Sequence, residues 1–258
     1  MRVLALNSSP HKSRGGTSAV LAPFLEGVRS AGAETELVYL HGLEIRPCRG
    51  CYTCWLKTPG RCAQRDAMDE LLPKVEAADA LVYATPVYID GMNAQMKLFV
   101  DRCLPLIEPW FEVKNGHCRH PRRLCFRPTR AVLVSACGFT ELDNFDPLVA
   151  HMQAACRNMG LEYAGALLRP YASSLAYLQK LGLPVKDVLD ACADAGREFV
   201  TAGSISDKTA ARVSRSLVRR DRHVKSSNDF FRAHLRKHAL PARPHEHCDR
   251  KRARDIRR

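Results

Sequence analysis

Apolar positions along this chain fall into two alternating rhythms. Arg2–Asn7 is a short apolar run that closes in polar residues, the pattern of a strand. From Thr17 to Ala31, Val20, Leu21, Phe24, Leu25 and Val28 follow the i, i+3, i+4 spacing of a helix, and Gly32 stops it. Glu34–Tyr39 reads as a second strand, and Met68–Ala77 as a helix with Leu71, Leu72 and Val75 on one face. Ala80–Thr85 is continuously apolar, as a strand buried on both faces of a parallel sheet must be. Asn93–Leu106 is helical, with Met96, Phe99, Val100 and Cys103 in one stripe. Arg130–Cys137 is another two-sided strand, and Asp146–Met159 a helix closed by Gly160. Leu161–Pro170 is the last strand and Val185–Ala202 the last core helix. This alternation predicts an α/β domain: a doubly wound, five-stranded parallel sheet with helices on both faces.

One segment breaks the rhythm. Between a helix and a strand, Trp110–His117 contains Asn115-Gly116, the strongest short hairpin signal. It predicts a small β-hairpin insertion, about residues 111–126, that covers the active site or contacts a partner subunit.

Length and charge then divide the chain. Its 258 residues suffice for one large domain and an appendage. The net charge is +13, but Ser204–Arg258 holds 17 Lys plus Arg against 6 Asp plus Glu, so the body is nearly neutral. The expected organisation is a ligand-binding domain over 1–203 and a basic, partly helical extension over 204–258. The run from Arg250 to Arg258 lacks apolar periodicity. It reads as a solvated tail or as a nonspecific contact for nucleic acid or another polyanion. Apolar runs fall short of the roughly 20 residues of a membrane span. The first ten residues lack the long apolar core and cleavage site of a signal peptide, so the expected location is cytoplasmic.

Chemistry is concentrated at strand ends, where doubly wound sheets bind ligands. The loop Asn7–Ser18 leaves the first strand and enters a helix. It supplies hydroxyls, two glycines and the cations Lys12 and Arg14, which suits a phosphate dianion at a helix N-terminus and equally suits a plain βα connection capped by Thr or Ser. It has neither a nucleoside-triphosphatase loop nor the Gly-x-Gly-x-x-Gly of a dinucleotide site. Thr85–Asn93 follows the third strand; its backbone and Tyr88 can face a flat heteroaromatic ring, or form an ordinary aromatic loop. Ser135–Phe139, at a further strand end, is small enough for a ligand to lie against its backbone.

Of the eleven cysteines, Cys103, Cys118, Cys125, Cys137, Cys156, Cys192 and Cys248 are scattered. The others form Cys48-x₂-Cys51-x₂-Cys54-x₇-Cys62. Four thiolates so compactly spaced suit a [4Fe–4S] cluster or tetrahedral zinc, and consecutive x₂ gaps are more typical of iron–sulfur ligation. A metal-free loop packing against a ligand edge is the alternative. His117, His120, His245 and His247 read as solvated residues of the hairpin and tail.

Together these motifs carry a specific resemblance. Ser8-Ser9-Pro10-His11 through Gly16-Thr17 is similar to the Gly-Ser-Pro-Arg-x-x-Gly-x-Thr pattern of the NAD(P)H-dependent FMN reductase and multimeric-flavodoxin family. Pro86-Val87-Tyr88, followed by Gln95-Met96-Lys97-Leu98-Phe99-Val100-Asp101-Arg102, resembles that family's second motif. The resemblance covers about residues 1–203 and extends weakly to Phe231. It implies a flavodoxin-like fold and an FMN-dependent NAD(P)H oxidoreductase reducing a quinone, flavin or other small acceptor. By resemblance, Ser9, His11, Ser13, Thr17 and Ser18 hold the FMN phosphate. Pro86, Val87, Tyr88 and Gly91 line the isoalloxazine, and Cys137 and Gly138 approach it from the third loop. No side-chain acid or base is obligatory for hydride transfer, and Tyr88 is the residue expected to shape the substrate side. The iron–sulfur flavoprotein branch carries a similar cysteine motif. It implies the alternative function, an electron carrier with a cluster on Cys48, Cys51, Cys54 and Cys62. Family members are commonly dimers or tetramers, so a homodimer or homotetramer is expected. The chain departs from the family at Ser8 for Gly, at His11 for Arg, and at Asp66-Ala67-Met68 for Asp-Asp-Met.

Overall fold

The computed structural model describes residues 1–172, 175, 177, 178, 181, 182 and 184–237. His245, His247, Cys248 and the basic run after Arg250 lie outside the described residues. Met1–Arg215 form one compact unit, and a second begins at Ser216.

Strands β1 (Arg2–Asn7), β2 (Glu34–Tyr39), β3 (Ala80–Tyr88), β7 (Arg130–Ala136) and β8 (Glu162–Arg169) make the parallel sheet. Their order is β2-β1-β3-β7-β8, with the two-residue strand β4 (Gly91–Met92) paired antiparallel to β3. The expected flavodoxin-like five-stranded sheet is therefore present. Strands β5 (Glu112–Lys114) and β6 (His117–Arg119) form the separate hairpin around Asn115-Gly116. Both turn residues have positive φ, +52° and +76°, as a tight two-residue turn requires. The ladder is shorter than the expected 111–126, and a further bridge, Ile107 to Arg122, closes the base of the excursion.

Period-two alternation in β1 sends Leu4 and Leu6 to one face of the sheet and Val3 and Ala5 to the other, all fully buried. Leu4 and Leu6 join a core with α3 (Met68–Ala77), α4 (Ala94–Asp101) and α5 (Asp146–Met159) through Met68, Leu71, Met96, Phe99 and Met152. Helices α1 (Gly16–Ser30) and α6 (Lys186–Ala202) pack against each other. Their backbones approach so closely that a Cβ on Gly27 would lie 1.9 Å from the Ala193 carbonyl oxygen. One on Gly196 would lie 2.1 Å from that of Phe24.

Three elements differ from the sequence pattern. The third strand runs to Tyr88 rather than Thr85, because β4 folds back on it and pairs Val87 with Met92. The helix expected over Asn93–Leu106 stops at Asp101 and gives way to a 3₁₀ turn, Leu104–Leu106, built around Pro105. Helix α7 (Asp207–Ser214) packs on α6 and β8, so residues beyond 203 belong to the first unit. The fully buried Arg169 secures it, its Nη1 donating to the carbonyls of Val213 (2.8 Å) and Arg215 (2.7 Å). The second unit carries α8 (Arg220–Lys237). A short helix, α2 (Thr53–Leu56), lies within the cysteine segment.

Candidate functional site

The connections from β1 to β2 and from β3 to β7 leave in opposite directions across the sheet, so the carboxyl ends of β1 and β3 flank the switch point where such sheets take ligands. Register aligns the three strand ends: Asn7 lies opposite Ala84, and Thr85 opposite Ser135.

The first loop is held from below by buried polar groups. Asn7 Oδ1 accepts from the Ser9 N–H at 2.9 Å, and its Nδ2 donates to Ser18 Oγ at 2.8 Å. The Ser18 hydroxyl donates in turn to the Lys12 carbonyl at 2.6 Å, where Lys12 adopts φ +48°. Ser8 spends its N–H and its hydroxyl on the Ala84 carbonyl. Ser8 and Ser18 thus shape the loop. The hydroxyls of Ser9 and Thr17, both buried, carry no hydrogen bond among the described residues, and Ser13 is exposed. No side chain caps α1, whose N-cap is Gly15, so its first-turn amides are open to a ligand. A Cβ on Gly15 would lie 2.7 Å from Ser9 Oγ and fill this cradle. Around it stand the exposed side chains of His11, Lys12 and Arg14. Uncapped amides, free hydroxyls and surrounding cations match what a phosphate monoester needs.

The second loop is stitched to the first by Asn93, a residue the sequence reading did not single out. Its Nδ2 donates to the Ser8 carbonyl at 2.7 Å, while its Oδ1 caps α4 by accepting from the Met96 N–H. Its own N–H donates to Thr85 Oγ1, and Ser135 Oγ donates to the Thr85 carbonyl at 2.7 Å. The N-cap position of Asn93 was the available signal; its reach to Ser8 was not legible. Pro86 and Val87 are half-buried and Tyr88 is 49% exposed. The β3–β4 turn places Ile89 and Asp90 at φ +46° and +58°, with Ile89 fully exposed. A Cβ on Gly91 would meet only the Ile89 carbonyl oxygen, at 3.9 Å.

In the third loop Cys137 is buried. Its N–H donates to the Arg169 carbonyl, and its sulfur accepts from the Phe139 N–H at 3.4 Å. Burial pushes the Cys137 thiol up; the Phe139 and Gly138 amides oppose this, and the carboxylates of Asp90 and Glu141 add to it. Asp90, on the second loop, is therefore electrostatically coupled to the third. Gly138 is exposed, with no atom within 4 Å of a would-be Cβ.

The cysteine segment lies between β2 and α3. Gln95 Nε2 donates to the carbonyls of Leu40 and Leu43, and Gln64 Nε2 to that of Pro47. The strongest clamp is a buried ion pair. Arg102 Nη1 and Nη2 meet Asp66 Oδ2 and Oδ1 at 2.6 and 3.1 Å, and Nη1 also donates to the Arg46 carbonyl. Burial alone would raise the Asp66 carboxyl, but Arg102 and the N–H groups of Arg46 and Met68 hold it below the usual range. The Cys62 sulfur lies beside the Arg102 guanidinium and helps to raise it, burial opposing. Cys54 is buried, Cys62 half-buried, and Cys48 and Cys51 exposed. Burial raises the Cys54 thiol, and Cys62, Cys48 and Cys51 each add to the shift. Thr53 lowers the Cys51 thiol through its hydroxyl and N–H. Four thiolates are the donor set of an iron–sulfur cluster. Among the described residues, however, no three His, Cys, Asp or Glu side chains are gathered tightly enough to hold an ion. The Trp55 indole, donating to the carbonyls of Leu104 and Ile107, fixes this segment to the base of the hairpin. His117 and His120 lie in the hairpin region, and the His120 ring packs at a tilt against Trp55 and Phe111. An open cavity of about 370 Å³ adjoins Cys62 and is lined by Arg61, Arg65, Met68, Leu72 and Glu76.

Sheet order and the helices packed on the sheet define an α/β protein of the flavodoxin-like class. The chain belongs to the family of NADPH-dependent FMN reductases, whose model matches residues 1–135. It is 43% identical over 105 residues to an iron-sulfur flavoprotein of Archaeoglobus fulgidus, covering 41% of this chain and 46% of the relative. It is 37% identical over 115 residues to the iron-sulfur flavoprotein MJ1083 of Methanocaldococcus jannaschii, covering 45% and 58%. The chain thus spans about half the length of these curated relatives. Among solved structures, the NAD(P)H:quinone oxidoreductase from Methanothermobacter marburgensis superposes with a TM-score of 0.52 at 19% identity, over 77% of this chain and 96% of that one. No described helix is long and apolar enough to cross a membrane.

Proposed function

We propose that this protein is a cytoplasmic, FMN-dependent oxidoreductase that draws electrons from NAD(P)H and reduces a quinone, a flavin or another small acceptor. The observation that carries this reading is the cradle over Gly15. There, the uncapped first turn of α1 meets the unpartnered hydroxyls of Ser9 and Thr17 at the switch point of the sheet.

Ser9, Ser13 and Thr17 donate to the FMN phosphate together with the α1 amides, and His11, Lys12 and Arg14 supply the positive field. Ser18 positions this loop through Asn7 and Lys12. Pro86, Val87, Tyr88 and Gly91 line one side of the isoalloxazine, and Cys137 and Gly138 the other. When bound, FMN supplies the hydride and electron chemistry. The residues position the ring, and Tyr88 shapes the face on which nicotinamide and acceptor stack. The oligomer is a homodimer or homotetramer, with the β5–β6 hairpin near its interface. Residues 1–203 supply the flavin domain, and of the basic extension over 204–258 the first part, α7, packs onto that domain.

A second reading is favoured by the compact Cys48-x₂-Cys51-x₂-Cys54-x₇-Cys62 spacing and by the names of the two curated relatives. In it, Cys48, Cys51, Cys54 and Cys62 hold a [4Fe–4S] cluster and the protein carries electrons between partners. Tetrahedral zinc would need the same thiolates, but the consecutive x₂ gaps favour the cluster.

Anaerobic purification, with identification of the released flavin and assay of iron and acid-labile sulfide, separates these readings. FMN near one per chain, with NAD(P)H oxidation that depends on a quinone, supports the first. Iron and sulfide near four per chain, with no turnover of small acceptors, support the second. Protein that arrives colourless and takes up no FMN at micromolar concentration refutes both.

A further inference from the structure

Helix α8, in the second unit, carries exposed apolar side chains. Val224, Phe230, Phe231 and Leu235 are 50%, 56%, 63% and 55% exposed. At about 100° per residue, Val224, Phe231 and Leu235 fall in one narrow stripe, while Phe230 lies about 100° around the helix from Phe231. Arg222, Lys225, Arg232 and Arg236 fall about 80–160° around from it, on the side that also holds Asp221 and Asp229. The acidic residues of this helix are Asp221 and Asp229, and each is already paired within the second unit, to Arg219 and Lys225. The Phe230 and Phe231 rings meet edge-on, 5.4 Å between centroids.

We propose that α8 is a docking surface for an anionic lipid bilayer, lying in the plane of the interface with its Val224, Phe231 and Leu235 stripe against the acyl boundary. Charge complementarity selects this occupant. An apolar stripe flanked by four cations, on a helix far too polar to span, is the composition of an interfacial helix drawn to acidic headgroups. The sequence after Lys237 continues the positive charge, with seven further Lys or Arg between Arg243 and Arg258. A coiled coil with a second copy suits the pattern poorly, because Ser227 and His234 occupy the i+3 positions after Val224 and Phe231, where a seam needs apolar side chains. Nucleic acid would use the cations and leave the aliphatic part of the stripe in water. The inference is independent of the proposed catalytic function.

Co-sedimentation of the full-length, flavin-loaded protein with vesicles tests it. One set of vesicles is pure phosphatidylcholine, and the other contains a third phosphatidylglycerol. Binding to the anionic vesicles is expected to exceed binding to the neutral ones at least about tenfold and to fall as salt screens the cations. Phe231→Ser combined with Leu235→Ser is expected to weaken it about tenfold or more, with flavin content and circular dichroism unchanged. Lys225→Glu with Arg232→Glu, a second surface variant, is expected to abolish the lipid preference. Equal partition to both vesicles overturns the proposal. So does anionic binding that ignores the Phe231/Leu235 change, a preference for duplex DNA over vesicles that survives it, or a shift of the double-serine variant from dimer to monomer without loss of vesicle binding.

Discussion

Replacing Ile89-Asp90 by Asn-Gly should make the protein more stable and a poorer host for its ligand. These two residues form the turn between β3 and β4, where Val87 pairs with Met92 and Tyr88 with Gly91. Both sit at positive φ, +46° and +58°. A two-residue turn of this kind matches the twist of its strands, but it favours Asn and Gly and resists a β-branched residue. Each residue held there costs of order 1–3 kcal/mol. Ile89 is fully exposed, so its removal sacrifices no packing, and Gly91 has room beside it. The new glycine offsets about 0.5–1 kcal/mol of this gain, because it loosens the unfolded chain. The net gain should be about 2 kcal/mol, and for a domain of this size that corresponds to a Tm rise of about 4–8 °C. Differential scanning calorimetry of the flavin-free protein measures it. The same variant removes an apolar side chain and a carboxylate from the rim of the crevice, so kcat/KM for an apolar quinone should fall about tenfold while FMN remains bound. A Tm that is unchanged or lower would refute the strain argument. A higher Tm with unchanged quinone kinetics would refute the placement of this turn at the acceptor's entry.

The remaining predictions concern the scaffold around the site. Arg102→Met strands the fully buried Asp66 carboxylate and should cost about 3–5 kcal/mol in chemical denaturation, with loss of order in the cysteine segment. Because the Asp66 carboxyl is depressed, its contribution is present above its unfolded pKa and disappears as pH falls through its lower folded pKa. Asp66→Asn should therefore flatten the acid limb of a stability–pH profile, and an unaltered limb would count against the clamp. Gly196→Ala drives a methyl into the Phe24 carbonyl, which is backbone and cannot yield, so about 3 kcal/mol or more should be lost in urea melts. Thr17→Val should weaken FMN binding about tenfold, read by flavin fluorescence, with the melting temperature of the flavin-free protein nearly unchanged.

The cysteine segment shows how far local pattern reaches. The spacing Cys48-x₂-Cys51-x₂-Cys54-x₇-Cys62 is visible in the sequence because ligand sets are written in short intervals. The means by which the segment is held is not visible. Asp66 and Arg102 stand 36 residues apart in elements with no shared periodicity, and only folding brings α4 against the end of the cysteine segment. The hydroxyls of the first loop make the same point. Ser9, Ser13, Thr17 and Ser18 are equivalent candidates in sequence. The structure leaves Ser9 and Thr17 buried and unbonded, and commits Ser18 to Asn7 and Lys12.

By itself the sequence determined the sheet, the alternation of strands and helices, the hairpin at Asn115-Gly116 and the loops that leave the strand ends. These follow from periodicity and turn chemistry, which act over a few residues. Tertiary structure decided which of those loops share one crevice, which hydroxyls remain free to meet a ligand, and that Asn93 ties the first loop to the second through Ser8. It also decided that Gly27 and Gly196 must lack side chains and that Ile89 must sit strained at the rim. Each of these depends on the approach of segments distant in the chain, and no local propensity encodes such an approach.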